Sequence, residues 1–197
     1  QNWLRPAGAG FDHLHKQLVG IDERGVLAAL ELQRVRTNPN LYNELGVDYA
    51  AYNGLLVASN EHAVAFAGFG HRYPTLEVYS TSAVCEPWLM SREEVDAVSD
   101  LIHALHAATG ADVPSNEEWH HKPLDVDQPM PWHITLKWRV STLAGFEGGT
   151  KIYLNTIDPW KVVERTVPRL LELREAGLIA PMRIGEECRV SPAMLRG

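Results

Sequence analysis

The sequence predicts an α+β domain, an antiparallel sheet with helices packed against it. Three observations carry that prediction. Leu55 to Ser59 and Ala63 to Ala67 are apolar runs on either side of Asn60-Glu61-His62, a hairpin signal. Ser91-Arg92-Glu93-Glu94 is a capping box ahead of Val95, Val98, Leu101, Ile102 and Leu105, which keep helical spacing. Trp132 to Val140 alternates apolar and polar residues, as a strand does when its two faces differ.

The elements follow in chain order. Gly8-Ala9-Gly10 opens a small-residue loop that runs into a His-x-His-x-Gln strand ending near Val19, and residues 21–25 punctuate it. Val26 to Val35 reads as a helix with Val26, Leu27, Ala29 and Leu30 facing inward. Asn38-Pro39-Asn40 breaks it, and Leu41 to Tyr52 forms a second helix. After the hairpin, Gly68, Gly70 and Pro74 mark a loop in which His71 is a surface or packing histidine. Leu76 to Ser80 is a third strand. The capped helix stops at Gly110. His103 and His106 lie on it at metal-ligand spacing, but without a third ligand they read as packing residues.

On the alternating strand, Trp132, Ile134, Leu136, Trp138 and Val140 line one face, and His133, Thr135, Lys137 and Arg139 the other. Residues 141–150 form a loop with three glycines, and 151–157 another strand. Asp158-Pro159 starts a last helix, which should break or kink near Pro168 and end at Gly177. The last twenty residues lack periodicity and pack as an extended tail.

Composition bounds the function. At 197 residues the chain can build one real core. A net charge of −7 argues against a nucleic-acid polymer or a membrane surface as partner. Cys85 and Cys188 stand alone, which suits a reducing compartment and a cytoplasmic location. Gln1-Asn2-Trp3 falls abruptly beside the motif, so the chain reads as the C-terminal part of a longer protein.

The chemistry concentrates in the motif. With a period of two, His13, His15 and Gln17 share one face, and Leu14, Leu18 and the stem of Lys16 take the other. A neutral imidazole can attack phosphorus and form a phosphoramidate, and His15 is the candidate nucleophile. The Gln17 amide can donate to a non-bridging phosphate oxygen. Gly8 and Gly10 let backbone N–H groups approach phosphates. His13 suits a metal-ligand or orienting role. The plainer alternative is a strand whose two histidines hydrogen-bond locally.

Asn2, Ala7-Gly8-Ala9-Gly10 and His13-Leu14-His15-Lys16-Gln17 resemble the active-site segment of the galactose-1-phosphate uridylyltransferase family, a branch of the histidine-triad superfamily. Leu14 stands where that family has proline. Gln17 stands where hydrolase branches carry a third histidine. The resemblance implies a histidine-triad-like sheet with packed helices. It implies that residues 1–36 end a first half carrying the motif, that 37–185 form a second half, and that 186–197 are a tail. It also implies nucleotidyl transfer between a nucleotide sugar and a sugar 1-phosphate through a nucleotidyl-histidine, in a homodimer. Asn2, Gly8 and Gly10 would hold phosphate, and His13 would supply one ligand of a first metal, whose other ligands either lie upstream of this chain or are dispensed with in this branch.

Trp119-His120-His121-Lys122-Pro123, Trp132-His133-Ile134 and Ala144-Gly145-Phe146-Glu147 continue the resemblance. Glu31, His120 and His133 match three of four ligands of a second metal in some members, and Thr135 stands at the fourth, a histidine there. Weak or partial occupancy by zinc or iron follows as an expectation. Glu147 matches a carboxylate that binds sugar hydroxyls. A phosphorylase or hydrolase of the same superfamily, or a non-catalytic relative, are the alternatives.

Overall fold

The computed structural model describes residues 1–197 apart from Asp12, Ile21, Thr156, Arg196 and Gly197. Parts of the expected motif strand, of the punctuation after it, of the 151–157 strand and of the tail therefore lie outside the described residues.

Among the described residues seven strands build one sheet: β1 (Asn2–Trp3), β2 (Leu56–Ser59), β3 (Ala63–Gly68), β4 (Thr75–Ser80), β5 (Ser115–His120), β6 (His133–Trp138) and β7 (Arg183–Ile184). Their order is β1-β5-β6-β4-β3-β2-β7, and every pairing is antiparallel. The predicted hairpin is β2–β3, with Ser59 opposite Val64. The central strands β3 and β4 are buried on both faces. A Cβ on Gly68 in β3 would run into the Glu77 carboxylate and the His71 ring, so a larger residue there would push that pair aside.

Helix α3 (Arg92–Thr109) has the predicted cap, with the Ser91 hydroxyl accepting from the Glu94 N–H and the Glu94 carboxylate accepting from the Ser91 N–H. It buries Val98, Leu101, Ile102, Ala104 and Leu105 against the sheet. Asp158 caps α5 (Pro159–Glu175), which buries Val162, Thr166, Leu170 and Leu173 and contacts α3. The helix carries Pro168 in its interior and runs on unbroken to Glu175, so no break occurs there. The tail docks by two hydrogen bonds between the Asn43 side chain and the Leu195 backbone, and Leu195 is buried.

Several expectations are corrected. Residues 13–20 form no strand, because no neighbouring strand takes up their backbone N–H and C=O groups. Helix α1 (Val26–Thr37) buries Leu32 and Val35 and leaves Val26, Leu27 and Leu30 exposed, so its inward face is rotated from the expected one, and the second helix is a π-helical turn, Asn43–Val47, running into α2 (Asp48–Tyr52). The glycine loop contains a short helix, α4 (Gly145–Thr150), and the described residues of 151–157 are not a strand. Strands β1, β5 and β7 carry no hairpin or alternation signal and were not expected.

Candidate functional site

The motif segment lies beside the β1–β5 end of the sheet. Although it is not a strand, its side chains divide as the period of two requires. Leu14 and Lys16 turn towards a groove of about 480 Å³ that also touches Trp3 and the His103 and His106 face of α3. His13 and His15 stay together, with ring centroids 5.4 Å apart. His15 Nδ1 lies 3.0 Å from the His13 carbonyl oxygen. A carbonyl only accepts, so Nδ1 carries the proton and Nε2 keeps its lone pair. Gln17 is exposed.

Lys16, the residue between His15 and Gln17, is anchored. Its Nζ lies 2.5 Å from Oε1 of Glu117 on β5. The same carboxylate accepts from Trp119 Nε1 at 2.5 Å and meets His106 Nε2 at 2.7 Å. Burial alone would raise this carboxyl; the bonds from His106, Lys16 and Trp119 outweigh it and hold the group at about 2. His106, read from sequence as packing, is therefore part of the support beneath the motif. The signal was faint, since Glu117 lay in an unrecognised strand.

The glycine loop is anchored one residue earlier on the same strand. The Asn116 amide donates to Asn2 Oδ1 at 2.6 Å and to the Ala7 carbonyl at 2.8 Å. Its oxygen accepts from Arg139 Nη1 at 2.8 Å. A guanidinium only donates, so this network fixes both amides: Asn2 receives at its oxygen and keeps its NH₂ for another partner. Gly8 sits at φ +88°, in the left-handed region glycine adopts without strain, closing the turn after Pro6 and Ala7.

The residues expected to share a second metal are partly gathered. His120 and His133 face each other across β5 and β6 and stack, with centroids 4.8 Å apart and planes 6° from parallel. Tyr79 stacks on the other face of His133 at 4.4 Å. His133 Nδ1 lies 2.9 Å from the Pro131 carbonyl oxygen. His120 Nε2 and Thr135 Oγ1 are buried with no hydrogen-bond partner. Burial first, then the neighbouring His133, pushes His120 down to about 3. Glu31 is half-buried on α1, near Tyr42, whose hydroxyl is pushed up by burial and then by this carboxylate.

Each imidazole lone pair lies in its own ring plane. Two parallel stacked planes offer no common point to an ion. Among the described residues, no group of three or more His, Cys, Asp or Glu side chains is arranged to hold a metal. The expected ligands, as arranged, do not fit one. His13 sits on the motif segment with His15, away from this stack. Glu147 opens α4 with Oε2 buried and unpartnered, an acceptor in waiting.

A family model for a domain of unknown function, DUF4921, matches residues 1–197. The chain belongs to that family. No curated protein matches it. Among solved structures, a uridylyltransferase mutant is 21% identical, covers 87% of this chain and superposes with a TM-score of 0.71. An ADP-glucose phosphorylase from Arabidopsis thaliana with bound ADP-glucose is 20% identical, covers 84% and has a TM-score of 0.72. A galT-like protein from the same plant gives the same identity and score. The chain therefore shares the uridylyltransferase fold, as the motif led us to expect. The chain spans 62% of the first of these structures and 56% of the second. Among the described residues no helix is long and apolar enough to cross a membrane.

Proposed function

We propose that this chain carries the nucleotidyl-transfer centre of an enzyme that moves a nucleoside monophosphate between a nucleotide sugar and a sugar 1-phosphate. The observation that carries the reading is the bond from His15 Nδ1 to the His13 carbonyl, which leaves Nε2 free to act as nucleophile. Nε2 attacks the nucleoside-bearing phosphorus. An N–P bond forms, the P–O bond to the sugar phosphate breaks, and the sugar phosphate leaves with those electrons. The positive charge that develops on the ring is met by the His13 carbonyl. An incoming sugar phosphate oxygen then reverses the step and frees His15.

Gln17, the Asn2 amide and the N–H groups of the Gly8–Gly10 loop are the donors assigned to the phosphate oxygens. Glu147 is assigned to sugar hydroxyls, which its unpartnered oxygen suits. Residues 1–36 as the end of one half, 37–185 as a second half, and a homodimer that supplies Glu147 across its interface belong to the same proposal. No step runs through a metal. Phosphorolysis is the second reading. The ADP-glucose phosphorylase shares the fold as closely as the uridylyltransferase does, and the two reactions differ only in whether the acceptor phosphate carries a sugar.

The test is covalent capture. Incubation with a labelled nucleoside-diphosphate sugar should give an acid-labile, base-stable adduct on His15 that His15→Ala lacks. Release of the label by a sugar 1-phosphate identifies a transferase, and release by inorganic phosphate a phosphorylase. An adduct that survives in His15→Ala would sink the assignment.

A further inference from the structure

Beside the glycine loop is a second groove, of about 670 Å³, touched by Pro6, Pro114 and the 141–143 loop. Its basic residues are Arg72 and Arg139, and both lie on one ring. The Arg139 guanidinium carbon is 4.5 Å from the Tyr73 ring centroid and that of Arg72 is 5.4 Å away. Tyr73 is itself buried, so it is a fixed platform that sets where both cations sit.

Among the described residues neither arginine pairs with a carboxylate. Arg139 makes one side-chain hydrogen bond, to the neutral Asn116 oxygen, and its Nε is buried without a partner. Two guanidiniums on one ring repel each other, and a buried N–H without an acceptor is costly. In a chain of net charge −7 there is no shortage of carboxylates, yet none is placed here. An anion in the groove would answer the repulsion and the missing carboxylate. Guanidinium forks match the tetrahedral oxygens of a phosphate, and the hydroxyls of Ser141 and Thr142 border the same groove.

We infer that this groove is a phosphate-monoester subsite in which Arg72 and Arg139, held by Tyr73, grip a dianionic phosphate. Asn116 ties it to the motif, because that amide holds Arg139 at one end and Asn2 and Ala7 at the other. The inference deepens the proposed function, since a sugar phosphate or inorganic phosphate is the acceptor that reading requires. It rests on that reading only for the ligand's role, not for its binding.

Calorimetric titration of the purified chain with inorganic phosphate and, separately, with glucose 1-phosphate tests it without any turnover. One or both should bind with an affinity that falls as salt is raised, and which of them binds names the source. Arg72→Gln, a change at an exposed side chain, should weaken binding roughly tenfold or more, the loss expected for one charged hydrogen bond. Arg139→Lys, which keeps the charge but not the fork, should weaken it as well. Binding of neither ligand at millimolar concentration, or equal binding in wild type and both variants, overturns the subsite. Failure of His15 to form an adduct while phosphate still binds through Arg72 would instead overturn the transfer reaction alone.

Discussion

Lys16 and Glu117 are 101 residues apart in sequence and meet at 2.5 Å, so the residue next to His15, the proposed nucleophile, is fastened to the middle of β5. The motif segment joins no strand ladder, so this pair is an anchor that its backbone does not supply. Glu117→Ala leaves His106, Lys16 and Trp119 without their shared acceptor. We expect a loss of ~3 kcal/mol, in the range for breaking a buried charged network, read as a drop in the denaturant midpoint. The rate of adduct formation should fall as well, because His15 loses its support. Unchanged adduct kinetics would mean that the segment is positioned by other contacts.

The same carboxylate sets an acid limit. Its folded pKa, about 2, lies below the ordinary 4.5. The stability it supplies is therefore complete above about 4.5 and is lost as pH falls towards 2. The linked contribution is at most roughly 3 kcal/mol. Denaturant titrations between neutral pH and pH 3 should show Glu117→Gln losing less stability on acidification than wild type. Parallel acid profiles would remove Glu117 from this role.

Gln17 is exposed and makes no side-chain hydrogen bond among the described residues, so Gln17→Ala should leave the fold within ~0.5 kcal/mol of wild type. If its amide donates to the phosphoryl oxygens in the transition state, its removal should cost ~3 kcal/mol, roughly a hundredfold in rate. Single-turnover formation of the adduct is the measurement. Equal rates would show that the amide points elsewhere.

Asn116→Asp keeps the shape of the side chain and its contact with Arg139 but cannot donate to Asn2 or Ala7. The Asn2 amide must then turn its NH₂ towards the new carboxylate and away from phosphate. Adduct formation should slow roughly tenfold or more, with some loss of stability because the Ala7 carbonyl loses its donor. Asn116→Ala, which leaves Arg139 and the Ala7 carbonyl unpaired, should lose about 1–3 kcal/mol of stability. If the Asp variant reacts at the wild-type rate, the orientation of Asn2 does not matter.

The sequence was readable where periodicity and local chemistry coincide. The Ser91 cap, the β2–β3 hairpin and the alternation of β6 depend on neighbours in the chain, and each stands where its pattern placed it. The sequence singled out His15 and Gln17 as candidates but not the residues packed beneath their segment. His106 and Glu117 are ordinary helix and strand residues until β5 brings them under Lys16, a pairing no local pattern encodes. The motif strand was misplaced for a similar reason, since its alternation survives while the neighbouring strand that alternation presumes is not there. Helix α1 was read with the wrong face inward because Val26, Leu27 and Leu30 are its most apolar residues, while docking is decided by Leu32 and Val35.

His120 and His133 give the last prediction. Their rings are parallel, and His133 is sandwiched between His120 and Tyr79, so the three form a ladder across β5, β6 and β4. Such cross-strand stacking stabilises the sheet without an ion. Protonation is not what excludes a metal at neutral pH, because His120 is held neutral, at about 3. The obstacle is direction: a ring must rotate out of the stack before both lone pairs meet. Thr135, two residues from His133 on the same face of β6, supplies a hydroxyl where a third imidazole would repay that rotation. We therefore expect well under one equivalent of zinc or iron in the purified chain, and a melting temperature that a chelator leaves unchanged. Thr135→His should take up metal and become chelator-sensitive, with affinity falling at low pH as the ligands protonate. A full equivalent in the wild-type chain, removed by chelator with a loss of stability, would show that the stack opens to form a metal centre after all.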